Sequence, residues 1–237
     1  MKNFYTVNAG LYFRDGDNGI FIDGIHGGKS VGFSSMPQEI KNDLEEPGSF
    51  FAPHNLFLFT HDHPDHYQRD LLCKTLKTQP DASVYGPMIP ESNIAPEWVD
   101  YRLSHFDYKD WSIYCIDAKH DGKGFENVIL QSYLIKHKDY SILVGGDGVF
   151  TPAFLRRVQQ VQRGHLTAAF INVYQLGSEC GREFLKEMSP RMIYMYHLPF
   201  VWDDKFDIRG MSRRLCNQYR DEFPRLAVLS PMTKVII

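Results

Sequence analysis

The chain has 237 residues, 43% of them hydrophobic and 14% aromatic, enough for a sizeable core. Its formal charge of −3 and pI near 6.4 argue against general nucleic-acid binding, which needs a basic face. Cys73, Cys115, Cys180 and Cys216 are scattered without a CxxC pair, so reduced thiols in or near the core of a cytoplasmic protein are expected, not a disulfide framework or zinc knuckle. No apolar stretch is long enough for a membrane span, and Asn8 and Gly10 interrupt the N-terminus before a signal-like run can form.

In chain order, Leu11–Phe13 and Ile20–Ile22 read as strands of a hairpin around Arg14–Gly19. In the following Asp23–Gly28 segment, glycines let the backbone pass close to a ligand or another loop, which makes His26 a possible substrate contact. His26 and, more strongly, Asp23 read first as residues that complete a turn or pin the next loop. Pro37–Leu44 is a predicted helix with proline at its start, and Pro53 and Asn55 precede a buried strand over Leu56–Phe59. Arg69–Lys77 repeats apolar residues at helical spacing, Ser83–Tyr85 is a short strand stopped by Gly86-Pro87, and Met88–Trp98 reads as proline-interrupted loop.

Ile113–Ala118, Val128–Ile135 and Tyr140–Val144 are predicted strands, the last two joined by the charged turn Lys136–Asp139. Thr151-Pro152 has the form of a helix start, an N-cap followed by proline, and that helix runs to about Gln162. A strand over Leu166–Val173, a helix over Cys180–Met188, a strand over Met192–Tyr196 and a helix within Ile208–Phe223 follow. Leu226–Leu229 and Val235–Ile237 close the chain as β-like runs. With no linker or internal repeat, residues 1–237 are expected to form a single domain, and the periodicity by itself specifies mixed α/β.

The most specific stretch is Thr60-His61-Asp62-His63-Pro64-Asp65-His66, directly after the predicted strand Leu56–Phe59. Imidazole nitrogens and carboxylate oxygens are both good ligands for first-row divalent ions, so this density at one strand end points to a metal site. An extended chain would put His61, His63 and Asp65 on one face, with Asp65 and His66 reaching a second ion where the chain turns. His54, His105, His137 and His165 stand alone and read as surface or structural residues.

The HxHxDH pattern resembles the signature of the metallo-β-lactamase-fold hydrolase superfamily, in its compact lactonase- and phosphodiesterase-like branch. Three later positions match in order: His120 in Asp117–Gly122, Asp147 in Val144–Gly148, and His197 in Tyr194–Pro199. Without the resemblance, Asp147 beside glycine would read as a turn residue. The resemblance implies a four-layer αββα sandwich and two divalent metal ions, one bound by His61, His63 and His120, the other by Asp65, His66 and His197, with Asp147 bridging. Zinc is the default for so many imidazoles, with manganese or iron also compatible.

The implied reaction is attack by metal-bound hydroxide on an ester-like bond of a small-molecule substrate, phosphodiester or lactone being favoured, with Asp65 as the catalytic residue that orients the nucleophile. Asp62 is the variable position inside the motif and is expected either to support a ligand from behind or to face solvent, not to bind metal itself. Gly148 departs from the pattern, since many relatives carry threonine there. No extended tRNA-binding arm is present, which weighs against RNA processing. His63 occupies a position that is acidic in redox di-iron relatives, and a non-catalytic module would be expected to have lost ligands. Neither the substrate nor the oligomeric state follows from the sequence.

Overall fold

The computed structural model describes residues 1–27, 31–46, 51, 54–87 and 104–237. The expected loop at Met88–Trp98, together with Gly28 and Pro53, lies outside them. The chain divides into two compact units. One contains Met1–Arg102, Leu198–Phe206 and Ser230–Ile236; the other contains Leu103–His197, Asp207–Leu229 and Ile237.

The first unit holds strands β1 (Lys2–Tyr5), β2 (Leu11–Asp15), β3 (Asn18–Ile22), β4 (His54–Leu58), β5 (Ser83–Tyr85) and β13 (Thr233–Val235), with helices α1 (Gln38–Glu45) and α2 (Arg69–Thr78). Its six-stranded sheet runs β13-β1-β2-β3-β4-β5. The expected hairpin is tighter than its sequence implied, because Arg14, Asp15, Asn18 and Gly19 join the ladder and leave only Gly16-Asp17 to turn. One face of the sheet presents Tyr12, Phe21, Phe57 and Val84 to Ile40, Leu44 and Leu72 of the two helices. Each such side chain contributes about 1.5–3 kcal/mol on burial. The alternate residues Leu11, Phe13, Ile20, Ile22, Leu56 and Leu58 are also buried. Strands β3, β4 and β5 are parallel, so Asp23 and Thr60 emerge from the same edge of the sheet.

The second unit contains β6 (His105–Tyr108), β7 (Trp111–Ala118), β8 (Leu130–His137), β9 (Tyr140–Val144), β10 (Ala168–Ile171), β11 (Met192–Met195) and β12 (Leu226–Val228). Its helices are α3 (Pro152–Val161), α4 (Val173–Gly177), α5 (Glu179–Met188) and α6 (Ile208–Gln218). The sheet order is β12-β11-β10-β9-β8-β7-β6, antiparallel from β6 to β9 and parallel from β9 to β12. Because β7 is antiparallel to β8 and β8 to β9, the strands β7, β9, β10 and β11 all end at one edge. Each unit thus supplies a mixed sheet and helices of its own, the elements required of the expected sandwich.

Several boundaries moved for identifiable reasons. The strand expected over Leu166–Val173 stops at Ile171 because Asn172 begins α4: its side chain accepts from the Tyr174 and Gln175 amides, while Gln175 accepts from the Asn172 amide. The β8–β9 turn is Lys138-Asp139 alone, with Lys138 at φ +53°. Thr151 caps α3 as expected, accepting from the Phe154 amide. All four cysteines are free, but Cys180 is exposed on α5 and so is not the core residue expected. Among the lone histidines, His137 is buried, stacked on Trp111 with ring centroids 4.0 Å apart, while His105 and His165 are exposed. Among the described residues, no helix is long and apolar enough to cross a membrane.

Candidate metal centre

In the first unit, β4 ends at Leu58 and the chain then leaves the sheet. The Asp23 amide donates to the Leu58 carbonyl and the Phe59 amide to that of Tyr85, which anchors this exit on both sides. A tight turn follows, in which the His66 and Tyr67 amides both donate to the His63 carbonyl at 2.9 Å. It folds His66 back onto His61, their ring centroids 4.0 Å apart, with His63 4.5 Å from His61. A turn, not continued strand alternation, therefore gathers these side chains. His61, Asp65 and His66 are buried, His63 is half-buried and Asp62 is exposed.

Asp23 is the residue beneath this loop. It is fully buried, with Oδ1 accepting from the Thr60 amide (2.7 Å) and Oδ2 from the Thr60 hydroxyl (2.7 Å) and His66 Nδ1 (3.0 Å). A carboxylate only accepts, so His66 carries its proton on Nδ1 and turns Nε2 toward Asp65 Oδ2, 3.7 Å away. The expectation that Asp23 pins a neighbouring loop is met in this form. His26 is fully buried, its Nδ1 3.5 Å from Asn8 Nδ2.

In the second unit, three strand ends deliver the later residues. His120 follows β7 and bridges to Gly148; Asp147 follows β9; His197 follows β11 in a left-handed conformation, φ +62°. That conformation is costly for a residue with a Cβ and is found disproportionately at functional positions. The Asp147 carboxylate lies between the two imidazoles, Oδ2 3.6 Å from His120 Nε2 and Oδ1 3.6 Å from His197 Nε2. The Asp121 carbonyl accepts from His120 Nδ1, fixing Nε2 as the nitrogen facing Asp147. Burial, reinforced by the neighbouring Asp147 carboxylate, pushes Asp121 up to about 6.

Asn172 and Gln175 hold the Asp147 turn in place, and neither was expected to. Asn172 Nδ2 reaches Asp147 Oδ1 (3.2 Å) and Asp121 Oδ2 (3.1 Å), while Gln175 Nε2 donates to the carbonyls of Gly146 (3.1 Å) and Gly148 (2.7 Å). The Tyr196 hydroxyl accepts from the Gly146 amide at 3.0 Å. The Asn-x-x-Gln spacing at Asn172 is a helix-start signal that the expected strand over Leu166–Val173 passed over, and its reach to the β9 turn has no local signal at all. Gly148 also has a steric explanation: a Cβ there would lie 2.8 Å from Ala118 Cβ and 3.0 Å from Ser132 Oγ, so threonine does not fit.

The donor sets suit divalent metal ions. Nitrogen–oxygen separations of 3.6, 3.6 and 3.7 Å are long for hydrogen bonds. Two donors on one tetrahedral ion, each about 2.0–2.2 Å from it, stand roughly 3.3–3.6 Å apart. The orienting contacts from Asp23 and the Asp121 carbonyl are those that ligating histidines characteristically make with their second nitrogen.

No family model and no curated protein matches the chain in sequence. Solved structures do match in fold. An isothiocyanate hydrolase from Delia radicum gut bacteria superposes at TM-score 0.70 and 15% identity, covering 100% of this chain and 99% of its own. CmlA, a diiron β-hydroxylase from Streptomyces venezuelae, gives TM-score 0.65 at 14% identity and 100% coverage of this chain, which spans 54% of CmlA. The metallo-β-lactamase-fold protein YhfI from Bacillus subtilis gives TM-score 0.64 at 12% identity, covering 97% of this chain and 91% of YhfI. With an HxHxDH loop leaving one sheet, and His120, Asp147 and His197 leaving strand ends of another, this chain has the metallo-β-lactamase fold.

Proposed function

We propose that the chain is a metal-dependent hydrolase in which both ligand sets act as one dinuclear centre. His61, His63 and His120 would hold one ion, Asp65, His66 and His197 the other, with Asp147 shared. The observation that carries this reading is the Asp147 carboxylate, whose two oxygens each face the Nε2 of a different histidine. A carboxylate serving one turn needs no such pairing, whereas a bridging ligand requires it.

When bound, two such ions lower the pKa of a water from about 15.7 toward 7 and neutralise charge on the attacking and leaving oxygens. Zinc is the proposed metal, with manganese and iron compatible with the same donors. The protein's part is to position. Asp23 keeps the His66 proton on Nδ1, Asn172 aligns Asp147, and Asp65 orients the attacking nucleophile and relays a proton to the leaving group. The proposed target is an ester-like bond, phosphodiester or lactone; His26, fully buried beside Asn8, is not reached by a substrate and takes the loop-pinning part instead. The diiron β-hydroxylase CmlA shares the fold, so the choice between hydrolysis and oxidation rests on the donor set. Five imidazoles, with His63 where redox relatives carry an acid, favour hydrolysis.

Elemental analysis of protein reconstituted with zinc, manganese or iron, followed by assay on phosphodiesters, lactones, thioesters and β-lactams, tests the reading. About two ions per chain and turnover of an ester-like substrate are expected, and Asp147→Asn should lower occupancy and turnover together. No stoichiometric metal, or an unaffected Asp147→Asn variant, would refute it.

A further inference from the structure

In the second unit the proposed ligands follow the C-terminal ends of β7, β9 and β11, while the opposite ends of β11 and β12, with the end of α5, frame a cavity of about 620 Å³. Its volume lies within the roughly 300–1,000 Å³ of small-molecule sites. Arg191 and His197 bracket β11, so roughly 20 Å of extended chain separates the cavity from the proposed ligand end of the sheet. The buried side chains of Leu185, Ile193 and Phe223 line it as an apolar floor. Lys186, Arg191, Arg225 and Glu222, all exposed, line it as well.

Charge collects here against the trend of the whole chain, whose formal net charge is −3. Glu222 is committed to Lys186, its Oε1 2.7 Å from Nζ, whereas the Arg191 and Arg225 guanidinium groups have no hydrogen bond or ion pair among the described residues. An exposed guanidinium needs no protein partner, but two of them on one concave surface over apolar side chains focus a positive potential into it. An adjoining hollow of about 230 Å³ shares Arg191 and adds Lys136 and Lys138 against Asp139. The backbone beneath both arginines is fixed: the Arg191 amide donates to the Leu166 carbonyl (2.9 Å), and the Arg225 carbonyl accepts from the Ile193 amide (3.1 Å). The Leu226 amide donates to the Phe223 carbonyl (3.0 Å), which holds the floor to the same turn.

We propose that this cavity is a second binding site, separate from the metal centre, for a phosphate monoester with an aromatic or apolar body. Three cationic side chains against the single carboxylate of Glu222 leave a net positive pair of charges. A phosphate monoester, at about −1.5 to −2 near neutral pH, matches that balance better than a carboxylate does. Planar guanidinium groups grip phosphate oxygens in pairs, so Arg191 and Arg225 would hold the head group while Leu185, Ile193 and Phe223 cover the body. The assignment goes beyond the hydrolase reading and does not depend on it.

The test is a titration of zinc-loaded protein with phenylphosphonate, followed by amide NMR; the probe stands in for a phosphate monoester and has no ester bond to hydrolyse. Saturable shifts are expected at the amides of Leu185, Arg191, Ile193 and Phe223. Benzoate, which keeps the ring with a single charge, and inorganic phosphate, which lacks the ring, should each bind there roughly tenfold more weakly. Arg191→Gln and Arg225→Gln should each weaken phenylphosphonate roughly tenfold. Arg156→Gln, an equal loss of charge at an exposed position on α3 outside the cavity, should leave the affinity unchanged. Shifts confined to the surroundings of Asp147 and His197, or an affinity that survives both cavity substitutions, would overturn the proposal. Benzoate bound as tightly as phenylphosphonate would overturn the phosphate assignment. Because the signals come from the cavity itself, the wild-type titration decides its occupancy even where a variant fails to fold, and neither result depends on turnover at the metal centre.

Discussion

Replacing Asp23 by asparagine tests whether the ligand loop is oriented from beneath. The substitution keeps shape and volume but exchanges one acceptor oxygen for an NH2 group. If the amide oxygen continues to accept from the Thr60 amide, Nδ2 takes the place of Oδ2 and confronts the Thr60 hydroxyl and His66 Nδ1. The hydroxyl can rotate to accept; His66 Nδ1–H cannot, so two donors face each other in a fully buried position. Relief requires the proton to move to Nε2, the nitrogen that faces Asp65. A protonated Nε2 in a neutral ring cannot ligate.

Loss of such an orienting partner typically costs 10–100-fold in metal affinity, or about 1.4–2.7 kcal/mol, and the disrupted buried hydrogen bonds cost a further ~1–3 kcal/mol of folding stability. Competition against a chelator of known affinity would measure the first effect and denaturant unfolding the second. Nitrogen NMR of the imidazoles would report the His66 tautomer directly. Wild-type affinity for both ions, with His66 still protonated at Nδ1 in the variant, would refute the argument.

Two further outcomes are expected. His197→Ala should weaken mainly the ion shared with Asp65 and His66 and leave the other largely in place, whereas His54→Ala and His137→Ala should leave both; His137→Ala should still lower stability, because that ring is buried against Trp111. Metal titration of the three variants decides this, and a second ion bound at wild-type affinity in His197→Ala would void the ligand assignment. The expectation of one functional domain predicts a single cooperative thermal transition in metal-loaded protein, shifted downward by chelation; two separate transitions by calorimetry would contradict it.

The proposed ligands were legible in the sequence because metal chemistry restricts such groups to a few side chains, and His61, His63, Asp65 and His66 crowd into one loop. Strands such as Tyr140–Val144 and Ser83–Tyr85 were legible as well, since apolar runs between turn residues have few other uses. Pairings between distant segments were not. Strand β1 depends on β13, contributed from the other end of the chain, and no local pattern marks that partnership. Asn172 was hidden for the same reason: the sequence places it within the predicted strand Leu166–Val173, and only parallel pairing of β9 with β10 brings it beside Asp147. Asp23 resembled a turn residue until the parallel β3–β4 register set it under Thr60 and His66. The chain order of residues records which chemical groups are present; sheet register, a product of many distant contacts, decides which of them meet.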